Sequence, residues 1–322
     1  MLRSEDSGDS EALAHASILT DAGLGDPVLE ELRRITRRPV RRHEQRGSGA
    51  VPPSGPLVYV GPHLPDELRT ERLVWFHSTN AGVDALLSAA PWPERTLLTR
   101  TVGRMGDRIA QYVLAWILAE CQEVPAHLEQ QRHAEWRRLP SELAEGRTAL
   151  VYGAGRIGAR VGALLRACGI RAVGVARTPR NDERAFDESV TPDDALARLG
   201  EARWVVSALP LTSRTAGFFD AATFGAMRGA TFINVGRGAT VDLAGLGTAL
   251  DDGSVRAAVL DVLPEEPPGP DHTVWKLPRT VITSHSAGIT APEDVSADFA
   301  SCWRALLDGR TPELAVDPAR GY

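Results

Sequence analysis

Lysine is almost missing from this chain: it occurs once, at Lys276, so nearly all of the 36 basic residues are arginine. Cysteine is scarce too. Cys121, Cys168 and Cys302 are odd in number and far apart, which excludes a disulfide framework and a CxxC metal site and suits a reducing compartment. No apolar run approaches the roughly 20 residues that cross a bilayer. The opening "MLRSEDSGDSEALAH" lacks the basic-then-apolar order of a secretory signal and reads as a frayed tail over residues 1–15. A net charge of −6 gives no general attraction to nucleic acid or to anionic membrane. These absences lead to the expectation of a cytoplasmic protein with neither nucleic acid nor membrane as partner. One local exception is "RRITRRPVRRHEQR" (33–46), with seven arginines in fourteen residues. It reads as a solvated helix end followed by an edge strand, with a phosphate-binding patch as the alternative.

What the chain does have is alternation. With 322 residues and 43% hydrophobic composition, it has core material for two domains. "ASILT" (16–20), "LVYVG" (57–61) and "LVWFHS" (73–78) read as buried parallel strands, and "DPVLEELRRI" (26–35) as a helix with Asp26 as N-cap and Pro27 in its first position. Residues 107–120 then change period: Ile109, Tyr112, Val113, Trp116 and Ile117 keep the spacing of an amphipathic helix. A second strand series follows, "TALVYG" (148–153), "RAVGVA" (171–176), "WVVSAL" (204–209), "TFINVG" (231–236), "AAVLDV" (257–262) and "VITSH" (281–285). The expected architecture is α/β with a flavodoxin-like domain over 1–98 and a Rossmann, doubly wound parallel sheet over 99–288. Residues 289–322 would form a C-terminal helix returning to the first domain. In such sheets ligands bind at the carboxyl ends of the strands.

Those ends carry the chemistry. Gly153-x-Gly155-x-x-Gly158 follows a strand and opens a helix, as the dinucleotide fingerprint requires. Gly153 permits the turn, Gly155 the approach of a pyrophosphate, and Gly158 the packing of helix on strand. The helix start, with Arg156 and Ile157, presents unpaired N–H groups to phosphate. A purely structural glycine turn is the alternative. The next strand ends in Ala176 where an NAD site would hold a carboxylate for the ribose 2′-OH. Arg177, Thr178 and Arg180 follow instead, groups suited to a 2′-phosphate, so NADP is expected over NAD, with a solvated basic loop as the alternative. Further on, Arg237 lies in a glycine-flanked turn, and Asp261, Glu265, Glu266 and His285 follow the last two strands. Taken singly, Arg237, Glu266 and His285 read as surface or loop residues. Together they stand after three successive strands of one sheet.

In this ordered set the chain resembles the D-isomer-specific 2-hydroxyacid dehydrogenases. The matching pieces are "NAGVD" (80–84), "GRMGDRIAQYVLAWIL" (103–118), the glycine loop, "LPLTSRT" (209–215), "INVGRGATVD" (233–242), "DVLPEEP" (261–267) and "ITSH" (282–285). They run from about residue 57 to the C-terminus. "GRMGDRIAQY" and "VARTPR" look most like the glyoxylate/hydroxypyruvate reductase A branch, which prefers NADPH. The resemblance implies that Arg237 pairs with a substrate carboxylate and polarises its 2-oxo group. It makes His285 the proton donor and Glu266, directly before Pro267, its hydrogen-bond partner. The amides around Ala81 and Gly82 would hold the carboxylate's other end. Leu209, Pro210, Thr215 and Val235 would line the cofactor groove, and Asp261 would lie near the nicotinamide amide. A small 2-oxo acid substrate, a homodimer and "QQRHAEW" (130–136) as interface element are also implied. Two departures stand out: Ser284 replaces the family's usual proline, and Gly236 replaces a common alanine, the latter read as a minor change. A nucleotide-sensing corepressor-like protein on the same scaffold, or an NAD-linked phosphoglycerate-type dehydrogenase, are the alternatives.

Overall fold

The computed structural model describes residues 12–13, 15–43, 55–179 and 183–319. Most of the expected N-terminal tail, the end of the arginine run and Arg180 therefore lie outside the described residues. The chain divides into two compact units, Met1–Arg104 with Thr290–Tyr322, and Met105–Ile289.

In the first unit the strands are β1 (Ser17–Thr20), β2 (Val40–Arg42), β3 (Leu57–Gly61), β4 (Leu73–Ser78) and β5 (Leu97–Arg100). They pair in parallel in the order β2-β1-β3-β4-β5, the flavodoxin-like order expected. Helices α1 (Asp26–Thr36), α2 (Asp84–Ala89) and α9 (Pro292–Leu307) belong to this unit. Alternate residues of β3 face opposite layers, as strand geometry demands. Val58 and Val60 pack with Val28, Leu32, Phe299 and Trp303, while Leu57 and Tyr59 pack with Phe76 and Leu86. Trp75 stacks on Phe299 with ring centroids 4.8 Å apart, so the C-terminal helix is part of this core. The helix cap differs from expectation. Gly25 is the N-cap and Asp26 already helical, because the extended backbone persists through Gly25, whose hydrogen side chain offers no capping acceptor.

The unit boundary falls after Arg104, later than the expected 98. Strand β5 runs to Arg100, and Asp298 of α9 accepts the amides of Val102 and Gly103, both at 2.7 Å. Four arginines of the run have local partners, while Arg37 and Arg41 are exposed. Arg33 donates to the Val40 carbonyl, Arg34 pairs with Glu31, Arg42 pairs with Asp26, and Arg38 reaches the Leu13 carbonyl while lying over Trp303. The edge strand anticipated there is β2.

The second unit begins with α3 (Met105–Cys121) and α4 (Val124–Arg132). Its strands are β6 (Thr148–Tyr152), β7 (Arg171–Val175), β8 (Glu188–Val190), β9 (Trp204–Ser207), β10 (Ala230–Asn234), β11 (Val255–Leu260) and β12 (Thr280–Ile282). They form one parallel sheet, β12-β11-β10-β9-β6-β7-β8, doubly wound with its switch point between β6 and β9. Between them run α5 (Arg156–Ala167), α6 (Pro192–Leu196), α7 (Ala221–Gly225) and α8 (Leu243–Asp252). Ala149 and Val151 of β6 pack with Val113 and Ile117 of α3 and Val161 and Leu165 of α5. Leu150 and Tyr152 pack on the other face with Phe224 of α7 and Leu246 and Leu250 of α8. Both faces are covered, which is why these strands are continuous apolar runs.

Candidate active site

The glycine loop spans the turn from β6 to α5. Gly153 has φ +92°, and a Cβ there would sit 2.7 Å from the carbonyl oxygen of Ala208, just past the end of β9. At Gly158 a Cβ would meet the Gly153 carbonyl oxygen at 2.2 Å. Only glycine fits either place. Gly155, the N-cap of α5, is exposed with nothing within 4 Å of a built Cβ. No side chain caps α5 and no acidic residue stands in its first turn, so the amides of Arg156 and Ile157 open onto an uncovered helix N-terminus. That is the arrangement a pyrophosphate needs. Beyond β7, Ala176 is tied to Val190, and Arg177 and Thr178 are exposed.

Four consecutive strand ends of this sheet then converge through their loops. After β9, Thr215 closes its own loop: its hydroxyl donates to the Pro210 carbonyl at 2.6 Å and accepts the Thr212 amide at 2.8 Å. Leu209 is half-buried and Pro210 exposed. After β10, the buried Asn234 staples the arginine turn, accepting the Gly236 amide at 3.1 Å and donating to the Arg237 carbonyl at 3.2 Å. Val235 is a core residue packed with Ile233. The replacement at Gly236 is not minor. A Cβ there would lie 2.5 Å from the Leu209 carbonyl oxygen, so alanine would displace one loop from the other. Gly238 is equally confined, its Cβ position falling 1.9 Å from the Leu263 carbonyl carbon. The half-buried Arg237 is thus held on a turn wedged between the loops after β9 and β11.

After β11, Glu266 divides its carboxylate. Oε1 accepts the Leu263 amide at 2.7 Å and Oε2 faces His285 Nδ1 at 2.7 Å. Glu265 is exposed and Glu266 is the one that reaches the ring. A carboxylate only accepts, so Nδ1 carries a proton and the ring is fixed in orientation. Nε2 makes no hydrogen bond to the described residues, and the His285 side chain is 53% exposed. The imidazole is therefore positioned through Nδ1 and left open at Nε2.

Asp261, expected near the nicotinamide amide, is bonded to the histidine turn. It is 3% exposed, and its carboxylate is taken up by the histidine turn: the Thr283 hydroxyl at 2.7 Å, the Ser286 amide at 2.8 Å and the Ala287 amide at 3.1 Å. Its own carbonyl accepts the His285 amide at 2.6 Å. Thr283, Ser286 and Asn234 were not among the residues singled out from sequence. Only Asn234, polar at a buried strand end beside a glycine turn, left a signal that could have found it.

Ala81 and Gly82 lie in the first unit, in the loop between β4 and α2. Ser78 accepts the Asn80 amide at 3.1 Å, and Arg100 donates to the Ala81 carbonyl at 3.2 Å, so that loop is anchored at both sides.

Comparison with known proteins shows the family. The family model for the NAD binding domain of D-isomer specific 2-hydroxyacid dehydrogenases matches residues 114–287. The chain belongs to this family. A relative from the mprR 3′ region of Streptomyces coelicolor is 55% identical over 86% of this chain and 99% of its own. Glyoxylate/hydroxypyruvate reductase A of Serratia proteamaculans is 30% identical over 83% of this chain and 87% of its own. Among solved structures, a D-isomer specific 2-hydroxyacid dehydrogenase from Xanthobacter autotrophicus in complex with NADPH and MES is 28% identical. It aligns with a TM-score of 0.84 over 95% of this chain and 99% of its own. The protein is an oxidoreductase of this family with a nicotinamide-cofactor domain. Among the described residues no helix is long and apolar enough to cross a membrane.

Proposed function

We propose that this dehydrogenase reduces a small 2-oxo acid, such as glyoxylate or hydroxypyruvate, to the D-2-hydroxy acid with NADPH as reductant. The observation that carries the reading is the imidazole of His285, held at Nδ1 by Glu266 and open at Nε2, with Arg237 on the turn after β10 of the same sheet. Bound NADPH supplies the hydride that the carbonyl carbon takes up. The chain's part is to bind, polarise and protonate. Arg237 pairs with the substrate carboxylate and draws electron density toward the 2-oxo oxygen. His285 gives its Nε2 proton to that oxygen as it gains charge, and the Glu266 carboxylate stabilises the ring that does so.

The cofactor side of the reading rests on the open N-terminus of α5 and on Arg177, Thr178 and Arg180 in place of an acid after β7. These groups attract a 2′-phosphate and offer a bare 2′-OH no acceptor carboxylate. Leu209, Pro210 and Thr215 wall the groove. The reading includes a cytoplasmic homodimer, supported by a fully exposed Trp136 and by exposed Val124, Leu128 and Leu143 along one segment. It is tested by titrating NADPH and NADH against the protein and Arg177→Ala, then offering glyoxylate, hydroxypyruvate and phenylpyruvate. The expected result is turnover with NADPH and a loss of NADPH affinity of about tenfold or more in the variant. Equal affinity for both cofactors, unchanged by Arg177→Ala, would remove the NADPH assignment. The corepressor-like alternative predicts cofactor binding with no turnover of any of these 2-oxo acids.

A further inference from the structure

The turn that carries His285 is conformationally costly. Ser284 and His285 both have φ +55°, two successive non-glycine residues in the left-handed region. A proline at 284 could not adopt that backbone, since its ring fixes φ near −65°. Such a turn persists only where its surroundings over-determine it. Here the restraint converges on Asp261, whose side chain holds Thr283, Ser286 and Ala287 and whose carbonyl holds His285. Behind Asp261 stands one more link. Tyr112, on α3, has its hydroxyl 2.6 Å from Thr283 Oγ1. Thr283 has one proton, and the Asp261 carboxylate can only accept it, so Tyr112 must donate into Thr283. Burial pushes the Tyr112 hydroxyl up to about 12, which keeps it a donor throughout the working pH range.

We propose that Tyr112 and Thr283 are positioning residues for the reaction, a hydrogen-bond relay through Asp261 that holds the left-handed turn presenting His285. The proposal rests on His285 being the proton donor. It gives Asp261 a role on the histidine side, distinct from contact with the nicotinamide amide. Tyr112 is otherwise read as one more apolar position on the α3 face, and its ring does pack there, against Trp116. Its hydroxyl is what reaches beyond packing.

The test combines kinetics with amide hydrogen exchange on the full-length protein. Tyr112→Phe keeps the ring and is expected to lower kcat by about threefold to tenfold, the effect of one lost hydrogen bond. Thr283→Val removes one of the three donors to Asp261 Oδ1 and leaves the Tyr112 hydroxyl without its acceptor, and is expected to cost about tenfold to a hundredfold, with Thr283→Ser restoring most of it. KM and NADPH affinity stay as in the wild type. The double variant is no worse than Thr283→Val alone, because Tyr112 acts through Thr283. In parallel, the Ser286 and Ala287 amides exchange faster in both variants while the rest of the sheet keeps its protection. Unchanged protection of those two amides, or an unchanged kcat, overturns the proposal. So does a loss that falls on KM or NADPH affinity with kcat intact, which would return Asp261 to the cofactor. Should the wild type turn over no 2-oxo acid, the functional reading fails, and the exchange data alone then decide the relay.

Discussion

At the scale of single residues, two side-chain positions carry more than their appearance suggests. Gly236 looked interchangeable with alanine, yet its missing Cβ is what lets the arginine turn lie against the Leu209 backbone. Gly236→Ala is expected to shift Arg237 and reduce kcat/KM for the 2-oxo acid by about tenfold or more, the scale of a misplaced binding group. A variant with wild-type kcat/KM would show that the two loops can part freely. The second position is His77, fully buried on β4. Trp75 Nε1 donates to Thr99 Oγ1 at 2.8 Å, Thr99 faces His77 Nδ1 at 2.7 Å, and Nε2 faces Thr101 Oγ1 at 3.1 Å. Thr101 spends its own proton on the Ser78 carbonyl, so His77 donates from Nε2 and accepts at Nδ1, a neutral ring.

Burial lowers His77 from its ordinary 6.5 to about 3. Between those values the unfolded chain binds a proton that the folded chain does not, so stability falls as pH falls below 6.5 and is fully present above it. From pH 7 to pH 5 this one group should cost about 2 kcal/mol. Comparing unfolding free energies at the two pH values in wild type and His77→Gln checks it. An acid-induced loss of the same size in both proteins would show that His77 contributes nothing to it.

At the scale of elements, the strands buried on both faces were legible because short continuous apolar runs, alternating with helical patterns, mark the inner strands of a parallel sheet. β5 and β8 escaped notice for the converse reason: each is three or four residues long at a sheet margin, and "ESV" carries no apolar pattern. The turn at Ser284 and His285 was illegible in kind, since no residue type there announces a left-handed backbone. The Tyr112–Thr283 link joins residues 171 positions apart, and helical spacing could only place Tyr112 on the packed face. The expectation that the last helix returns to the first unit can be put to the test in energy. Phe299 is fully buried in a stack with Trp75 and Trp303, and Phe299→Ala is expected to cost about 3–5 kcal/mol of stability. A loss under about 1 kcal/mol in denaturant unfolding would mean that α9 is not part of that core.

At the scale of the whole molecule, the family was legible because its motifs sit at strand ends in a fixed order, each bland alone. The glycine loop and the arginine turn mark places where backbone must pass close to backbone. Assembly is the least legible property. The exposed Trp136 motivates Trp136→Glu, which is expected to convert a dimer to a monomer in light scattering. A wild type that already runs as a monomer would contradict the assembly reading.

The central claim is that His285, held by Glu266, protonates a 2-oxo acid. Its most direct test follows nicotinamide absorbance with NADPH and glyoxylate for the wild type and His285→Gln. The expected result is steady oxidation by the wild type, reduced by about 10²–10⁴-fold in the variant with NADPH affinity retained. Oxidation that survives in His285→Gln would contradict the claim.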